Sequence, residues 1–532
     1  MKNKKGFTLV ELLAVIAILA IIVILALPNV IKLYTEARKN AFVNEARTIY
    51  KETTNKFINE SVKGNKVNTI SSKDNTKLDM SGEGLDYCVI LDNKGKVKKL
   101  AVGNGSYYIK LSDVGDVESI TKEDVQEGKL DDMKCDASAF KPKLNCKFDG
   151  EMVQGAEYVN GQYTYRYMQK GDGSYPSNSL SWSKISDDGW GVMLTDRTST
   201  EPVTTELCTT INDKPIVSTS FMFAASKASS LDLSSFDTSN VIYMDLMFRG
   251  SKASSLDLSN FDTSKVTTME SMFNGVNVEN LDLSNFNTSN VTNMRYMFGS
   301  LDATSIDLSS FDTSKVTNMS SMFNGCKVKK IDVSSFDTSK VTNMSLMFFY
   351  SKIEEIIGLN KFNTSNVTNM NTMFAQNSLL SIDLSSFDTS NVTDMSDMFN
   401  STAATSYDVS KFNTSKVKNM SYMFVRCKLP TLDLRNFDTS NVTNMNSMFS
   451  YSSIQNLNIT SFNTSKVTTM RSMFAESKIT EFDLSSFDTS NVTNMDYMFE
   501  LTHGKGYART QSDASKFNSS SNKPSGLTFT VK

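Results

Sequence analysis

Hydrophobic residues recur along the chain in several patterns, and each pattern predicts a different element. Residues 7–27 form an apolar run that only Thr8 and Glu11 interrupt, and about 21 residues at 1.5 Å of rise each span roughly 31 Å, the thickness of a membrane core. From Pro28 to about Asn59, apolar and small residues are spaced among Lys, Glu and Arg, which predicts that the helix continues beyond the membrane. The lysines before the run place its start on the cytoplasmic side.

Short runs of β-prone residues follow the helix and predict a small antiparallel sheet laid on it. The chain then gains aromatic residues and glycine over about residues 139–205, which predicts a separate β-rich module. Within that module, Asn160 and Gly161 lie between β-prone residues and predict a type I′ hairpin. The runs of the first sheet are 87–91, 97–102 and 107–111.

The two tryptophans of the chain, Trp182 and Trp190, fall in this β-rich segment. We expect them in the core of the module or in the cap of the repeats that follow. An exposed Tyr and Trp patch that binds carbohydrate is the alternative, since aromatic faces stack on sugars.

One unit recurs eleven times between Leu231 and Phe499, with a period of 25 residues and one insertion. Such a period predicts a stacked solenoid, in which each unit buries its apolar face only against its neighbours. The units begin their turns at Phe236, Phe261, Phe286, Phe311, Phe336, Phe362, Phe387, Phe412, Phe437, Phe462 and Phe487.

Each unit predicts two short strands and a closing turn. In Leu256-Asp257-Leu258 the leucines alternate with Asp, so both leucines face inward from the first strand. A polar turn follows, Val-Thr-x-Met makes the second strand, and Met272-Phe273 closes the coil as a helical turn. Stacking places 22 of the 29 Met and 22 of the 33 Phe in internal ladders, so the excess of Met does not need a copper site.

One outward strand position holds Asp in nine of the eleven units, where like charges about 5 Å apart would repel. We expect these carboxylates to accept hydrogen bonds from hydroxyl or amide groups of the turn. A cation-binding or ligand-facing stripe is the alternative. The residues are Asp232, Asp257, Asp282, Asp307, Asp332, Asp383, Asp408, Asp433 and Asp483.

Composition and charge weigh against several classes of function. The net charge is -3 with 21% charged residues, so nucleic acid is not an expected partner. His503 is the only histidine and no C-x-x-C pair occurs, so we expect no catalytic triad, no metal and no cofactor. Without an acid–base pair or a phosphate-binding loop, an enzyme is the least favoured class.

Cysteines lie both outside and inside the repeats. The four outside allow three pairings, of which we expect a bridge involving Cys88 or Cys135. The two inside are four units apart, about 20 Å, too far to bridge, so we expect free, half-buried thiols. The six are Cys88, Cys135, Cys146, Cys208, Cys326 and Cys427.

Glu11 distinguishes the apolar run from a plain anchor, because a carboxylate there costs roughly 2.5–3.5 kcal/mol and needs a partner. Residues 4–13, Lys-Lys-Gly-Phe-Thr-Leu-Val-Glu-Leu-Leu, resemble the processing site of type IV prepilins and pseudopilins. The resemblance implies that prepilin peptidase cleaves between Gly6 and Phe7 and methylates Phe7, and that Glu11 pairs with the N-terminal amine of a neighbouring subunit. A secretory signal cut near Ala26, or an uncleaved anchor, is the alternative.

The repeats resemble BspA-like leucine-rich-repeat surface proteins over about half the chain. The motifs that carry the resemblance are Leu-Asp-Leu-Ser, Phe-Asp-Thr-Ser-Asn-Val-Thr-Asn-Met and the Met-Phe-x-x-Cys of residues 322–326. It implies a right-handed solenoid on a bacterial surface and adhesion to host proteins or other cells. Most units here lack the Cys, and membership does not specify a ligand.

The predicted fold is α/β multidomain, with a long N-terminal membrane helix, a small pilin-like α+β head, a β-rich bridging module and a right-handed leucine-rich-repeat-like solenoid of eleven 25-residue repeats. The predicted domains are a prepilin leader at 1–6, an N-terminal helix at 7–60 that crosses the membrane at 7–27, the head at 61–138, the bridging module at 139–205, the solenoid with its N-terminal cap at 206–500, and a polar tail or cap at 501–532 with a capping strand near 527–531.

These features predict a bacterial surface adhesin whose solenoid is a non-catalytic binding surface, with the variable residues between Met-Phe and the next Leu-Asp-Leu as the binding edge. The expected partners are prepilin peptidase, other pilin or pseudopilin subunits, the membrane, and a protein or glycan on a host or bacterial surface. We expect the N-terminal helix to anchor the protein in the cell membrane and the bulk of the chain to be extracellular, at the cell surface. The subunit either stays in the membrane or enters a pilus or pseudopilus. The alternative is a minor pilin or pseudopilin of a type II secretion or DNA-uptake apparatus.

Overall fold

The structure is a computed structural model that divides into two compact units, Met1–Pro142 and Lys143–Lys532. Within residues 9–29 the side chain is described only for Leu13. The structure describes residues 9–63, 67–73, 77–78, 84–92, 95–111, 114–130, 135, 144–169, 188–234 and 236–532.

The first unit contains one long helix, α1, over Leu9–Val62. It continues through Pro28 and ends three residues beyond the predicted Asn59, so the predicted continuation is confirmed. Short 3-10 helices occupy Val117–Ser119 and Lys122–Asp124. The strands are β1 (Thr69–Ser71), β2 (Asp86–Leu91), β3 (Val97–Gly103), β4 (Tyr107–Leu111) and β5 (Gln126–Glu127).

These five strands form one antiparallel sheet in the order β1-β2-β3-β4-β5. The helix turns a stripe of buried residues, Phe42, Ala46 and Ile49, toward it, and their spacing of three and four residues is that of one helix face. They share a core with Val89 and Leu100 of the sheet. The predicted small antiparallel sheet laid on the helix is confirmed.

The second unit begins with a six-stranded sheet in the order β6-β10-β11-β9-β8-β7. The turn between β7 and β8 is centred on Gly161 and Gln162, because Asn160 pairs with Tyr163. Only Gly161 has a positive φ, +55°, so the predicted type I′ turn, which needs two such residues, is wrong. The strands are β6 (Asn145–Cys146), β7 (Glu157–Asn160), β8 (Tyr163–Met168), β9 (Gly189–Leu194), β10 (Thr210–Ile211) and β11 (Lys214–Ser218).

The repeats form a β-solenoid, in which each coil stacks in parallel on the next. The first predicted strand is present, and Leu281 and Leu283 are buried on either side of exposed Asp282, as the alternation predicts. Its copies are β12 (Asn280–Leu281), β13 (Ser305–Ile306), β14 (Lys330–Asp332), β15 (Glu355–Ile357), β16 (Ser381–Ile382), β17 (Ser406–Tyr407), β18 (Thr431–Asp433), β19 (Asn456–Asn458) and β20 (Glu481–Leu484).

The second predicted strand is reduced to one residue per coil. Eleven consecutive parallel bridges run from Ser218 of β11 to Asn494 and connect all eleven Val-x-x-Met segments, with no longer pairing there among the described residues. Inside the coils, the second phenylalanine of each unit stacks on the next from Phe248 to Phe499, with ring centroids 5.6–6.0 Å apart. The predicted internal ladder is confirmed.

The closing turn of each coil is not helical. In Met269-Glu270-Ser271-Met272 the Met272 amide donates to the Met269 carbonyl at 3.2 Å, three residues back, and Ser271 has a left-handed φ of +56°. The predicted helical turn is therefore wrong, because this backbone points its alternate amides at the next coil instead of along a helix axis. Ser271 donates to Arg295 and Phe273 to Met297 in that way.

Both ends of the solenoid are covered by structure of the same chain. The six-stranded sheet joins the first coil through the bridge from Ser218 to Tyr243, and its residues belong to the same hydrophobic core as the repeats. At the other end, β20 pairs with β21 (Lys505–Ala508), β21 pairs with β22 (Thr528–Val531), and α2 (Gln511–Asn518) packs against them. The predicted capping strand near 527–531 is confirmed.

Candidate functional surface

The predicted processing residues Gly6 and Phe7 lie outside the described residues. Glu11 lies in the first turns of α1, where the structure gives the course of the backbone only. Among residues whose side chains are described, no helix has an apolar stretch of the length that a membrane crossing needs. The predicted span 7–27 itself falls on side chains outside that description.

Two disulfides join the cysteines outside the repeats. Cys88 pairs with Cys135 in the first unit, and Cys146 pairs with Cys208 in the second. The thiols in the repeats, Cys326 and Cys427, are both free and fully buried, not half-buried as predicted. They occupy a column of the core where other coils place Ser, Thr, Asn, Val or Leu, and burial raises the pKa of Cys326 to about 11.

Trp190 lies in the core of the six-stranded sheet with no exposed surface, and its indole donates to the Ile211 carbonyl at 3.2 Å. It packs edge-on against Phe148 at 5.6 Å between ring centroids. The prediction of a core tryptophan is confirmed for Trp190, which cannot stack on a sugar from inside the sheet. Trp182 lies outside the described residues.

The outward Asp stripe is held by local hydrogen bonds. The Asp257 carboxylate accepts from the Ser259 amide at 3.0 Å, two residues on, and Asp232 accepts from both the amide and the hydroxyl of Ser234. Asp433 accepts instead from the Arg435 guanidinium and amide. The expected turn partners are confirmed. Among the described residues, no three His, Cys, Asp or Glu form a group that could hold a metal ion.

Each coil also has two residues with left-handed backbone, four positions apart, and we call these two rows the turn edge. All are exposed or half-buried except Ser271 and Ser321, which are buried. The first row, with φ between +52° and +60°, is the residue before the second Met: Leu246, Ser271, Tyr296, Ser321, Leu346, Thr372, Asp397, Tyr422, Ser447, Ser472 and Tyr497. The second row, with φ between +49° and +71°, follows that Met by three residues: Gly250, Gly275, Ser300, Gly325, Tyr350, Gln376, Ser401, Arg426, Tyr451, Glu476 and Leu501.

The last four coils place aromatic and charged side chains together on the turn edge. Tyr422 is 42% exposed and Tyr451 is 47% exposed. The guanidinium of Arg426 lies 4.8 Å from the centre of the Tyr451 ring. A hydrogen bond to the Glu476 carboxylate raises the pKa of Tyr451, which ties the phenol of one coil to the carboxylate of the next.

A second arginine–tyrosine contact lies two coils further on, where Arg471, the residue before Ser472 of the first row, lies 5.6 Å from the centre of the Tyr497 ring. We call these residues the aromatic patch. Its members are Tyr422, Arg426, Tyr451, Arg471, Glu476 and Tyr497.

In the first coil, Asp245 precedes Leu246 of the first row, and its carboxylate has a raised pKa. Burial raises its pKa to about 6, and the nearby Glu270 carboxylate adds to that shift, while the hydrogen bond from the Thr268 hydroxyl opposes it. The folded state therefore favours the protonated acid. The stabilising contribution is complete below about pH 4 and is lost as the pH rises through about 6.

We expect Asp245→Asn to stabilise the protein by about 2 kcal/mol at pH 7 and to leave its stability at pH 3.5 unchanged, because the amide mimics the protonated acid and keeps the acceptor for Thr268. Thermal unfolding at both pH values measures this. Asp312→Asn is the control, since hydrogen bonds from Ser314 lower the pKa of Asp312 and its replacement should not stabilise the protein. Equal effects of the two variants at pH 7 would contradict the assignment.

Sequence reasoning placed the binding edge between Met-Phe and the next Leu-Asp-Leu, which includes the second row of the turn edge but not the first. The first row was missed because Met-x-x-Met-Phe has helical spacing, so its third residue was assigned to a helix. A repeat-by-repeat comparison contains a usable signal. Gly occupies one position in three units and Tyr or Arg the same position in others, which is typical of a left-handed residue on a surface.

Comparisons with known proteins match the N-terminal segment and the repeat region of the chain. A family described as "Mycoplasma protein of unknown function, DUF285" matches residues 200–310, 274–355, 349–433 and 428–525, together more than half of the chain. The prokaryotic N-terminal methylation motif matches residues 1–27. No curated protein and no solved structure matches the chain.

The two matches coincide with the two resemblances found in the sequence. The methylation motif covers the Lys-Lys-Gly-Phe stretch and implies processing by prepilin peptidase and assembly with pilin-type subunits. The repeat match covers all eleven units and the cap that follows them as far as residue 525. The chain therefore belongs to the DUF285 family of Mycoplasma-type repeat proteins, with a prepilin-type N-terminal methylation motif ahead of the repeats.

Proposed function

We propose that this protein is a bacterial surface adhesin whose repeat solenoid is a non-catalytic binding surface for a macromolecule on a host or bacterial cell. The observation that carries the proposal is the union in one chain of a methylation motif at residues 1–27 and a long solenoid that exposes side chains from every coil. Solenoids commonly bind their partners along such an extended surface.

The N-terminal part of the proposal concerns display. Prepilin peptidase cuts between Gly6 and Phe7, the apolar segment 7–27 holds the chain in the membrane or in a filament, and Glu11 pairs with the amine of a neighbouring pilin-type subunit. The cost of a carboxylate in an apolar environment supports this role for Glu11, since that amine supplies the charge it needs. Right-handed winding and likeness to leucine-rich repeats are part of the same proposal.

Removing residues 286–486 is expected to abolish attachment of cells to their target surface while the protein remains displayed. The deletion joins Asn285 to Phe487 and so removes whole units in phase, which lets the remaining coils stack. Attachment counts and antibody labelling of intact cells measure the two effects. Unchanged attachment by the deletion strain would contradict the proposal.

Display is checked on the same strains by the mass of the mature N-terminal peptide, which should begin with methylated Phe7. Gly6→Trp is the control that should leave an unprocessed precursor, because the bulky residue blocks the cleavage site. A minor pilin of a secretion or DNA-uptake apparatus would instead lose secretion or transformation in the deletion strain and keep its attachment.

A further inference from the structure

The second row of the turn edge changes character along the solenoid. In the first four coils it holds Gly250, Gly275, Ser300 and Gly325, whereas from the fifth coil onward it holds no glycine and several large side chains. A left-handed backbone costs a residue with a side chain about 1–2 kcal/mol, and glycine avoids that cost. Glycine fits the backbone at this position, so the backbone does not explain the large residues, and we infer that their side chains have a role of their own. Strained residues of this kind cluster at functional sites.

The aromatic patch is also held in fixed orientations before any ligand arrives. Arg426 covers one face of the Tyr451 ring, and Glu476 holds the hydroxyl of the same residue. The backbone below is equally fixed, since the Tyr451 amide donates to the Ala475 carbonyl of the next coil at 2.8 Å. Tyrosines ordered in this way bind with little further loss of conformational entropy.

The patch carries two guanidinium groups and one carboxylate, and all three remain available to a ligand. Neither Arg426 nor Arg471 forms an ion pair with another residue that the structure describes, whereas Arg295 in the third coil is paired with Glu270 at 3.0 Å. The guanidinium groups offer hydrogen-bond donors, and the Glu476 carboxylate offers acceptors. The Glu476 carboxylate opposes an anionic polymer, which the two guanidinium groups alone would attract.

We propose that the aromatic patch binds a neutral glycan, with sugar faces stacked on the tyrosine rings. Sugar hydroxyls both donate and accept hydrogen bonds, which matches the arginines and Glu476, and the apolar face of a sugar ring matches an exposed phenol. Tyr422 and Tyr451 come from neighbouring coils and Tyr497 from two coils beyond, so the rings follow one another at about 5–10 Å along the solenoid, as the successive units of a linear glycan require. This inference rests on the proposed function, because it names the ligand class of the same binding surface.

Tyr451→Gly separates binding from folding. Glycine suits the left-handed backbone at Tyr451, so the variant should melt no lower than the wild type, yet it lacks the stacking ring. Tyr296→Gly is the matched control, because Tyr296 is also left-handed and also lies under an arginine, at 5.1 Å, but that arginine is neutralised by Glu270. The full-length chain in detergent solution is applied to immobilised neutral oligosaccharides of glucose, galactose and N-acetylhexosamines, with heparin as the anionic probe.

We expect the wild type to bind one of the neutral oligosaccharides, Tyr451→Gly to bind it at least about tenfold more weakly, and Tyr296→Gly to bind it unchanged. Binding of heparin in preference to every neutral probe, no binding of any neutral probe, or equal losses in the two variants would overturn the inference. If cell attachment still depends on the repeats while no neutral glycan is bound, the adhesin proposal holds and the glycan inference alone fails.

Discussion

Alanine at Asp513 is expected to unfold the C-terminal end of the solenoid by removing about 3–5 kcal/mol of local stability. The Asp513 side chain is buried and accepts hydrogen bonds from the amide and the hydroxyl of Thr489, at 3.0 and 2.7 Å. It also accepts from the Arg509 guanidinium at 3.1 Å and from the Thr510 hydroxyl at 2.6 Å. Its loss leaves the amide and the hydroxyl of Thr489 without a partner in a buried site, whereas Arg509 keeps its ion pair with Asp488 at 3.0 Å.

The reason for this dependence is the threonine that follows the first Phe and Asp or Asn of each unit. In the first ten coils its hydroxyl donates to a backbone carbonyl of the next coil, as Thr464 does to Asp488 at 2.9 Å. Thr489 belongs to the last coil and has no next coil to bond. The carboxylate of Asp513, on α2, takes the place of the missing backbone carbonyl as the acceptor for the Thr489 hydroxyl. It thereby completes the row of inter-coil hydrogen bonds at the end of the solenoid.

The same carboxylate should make the cap sensitive to acid. Burial alone would raise the pKa of Asp513, but hydrogen bonds from Thr489, Thr510 and Arg509 outweigh it and lower the pKa to about 2. A lowered pKa contributes stability above the unfolded value near 4, and that contribution of about 2 kcal/mol is lost as the pH falls toward 2. The acid dependence should be absent from Asp513→Asn.

Hydrogen exchange over residues 505–531 measures the effect, because a solenoid frays from its ends and the middle coils should stay protected. Asp438→Ala is the control, since Asp438 lies in the ninth of the eleven coils, outside the cap, and its side chain accepts from the Ser440 amide at the surface. Equal protection of the cap in the wild type and in Asp513→Ala would refute the role of Asp513.

Replacing Phe348 by alanine is expected to destabilise the middle of the solenoid by about 3–5 kcal/mol. The ring has no exposed surface and stacks on Phe323 at 5.7 Å and on Phe374 at 5.6 Å. Because each coil buries its apolar face only against its neighbours, one cavity weakens two interfaces. Unfolding by denaturant, followed by hydrogen exchange, should show the coils on either side of Phe348 opening first.

The next residue along the chain gives a matched control. Phe349 is half-buried, and its ring contacts Tyr350 at 6.2 Å on the turn edge. Phe349→Ala removes the same number of atoms one residue away and should cost under about 1 kcal/mol, since a surface residue leaves no cavity. Similar losses for the two variants would mean that the stacked ladder does not dominate the stability of the solenoid.

The interior of this protein was largely predictable because burial is what a repeat makes periodic. Leu281 and Leu283 face inward and the Phe ladder is continuous, as the period of 25 and the alternation of Leu-Asp-Leu require. The hydrogen-bond partners of the outward Asp stripe were also predictable, since a short carboxylate side chain reaches the amide two residues on in the turn. These features depend on local sequence alone.

What the sequence did not reveal depends on the backbone or on distant residues. Ser271 is left-handed because its coil donates alternate amides to the next coil. The sequence does not indicate this conformation, because the spacing of Met269 and Met272 also fits a helix. The turn of β7 and β8 is displaced by one residue from Asn160 to Gly161 because strand pairing sets it. Asp513 lies 24 residues from Thr489, and no local pattern connects a helix to a coil end.

The two disulfides determine which segments of the chain transmit mechanical tension. Tension that enters the second unit near residue 143 reaches Cys146 and crosses directly to Cys208, so the residues between them, a sequence separation of 62, bear no load along the covalent chain. The link from Cys88 to Cys135 spares the intervening part of the first unit, a separation of 47, in the same way. If the Cys146–Cys208 link were reduced and the segment between the two cysteines then unfolded under load, the chain would lengthen by up to about 200 Å at 3.3–3.6 Å per residue. The two disulfides therefore limit how far the chain can extend under tension.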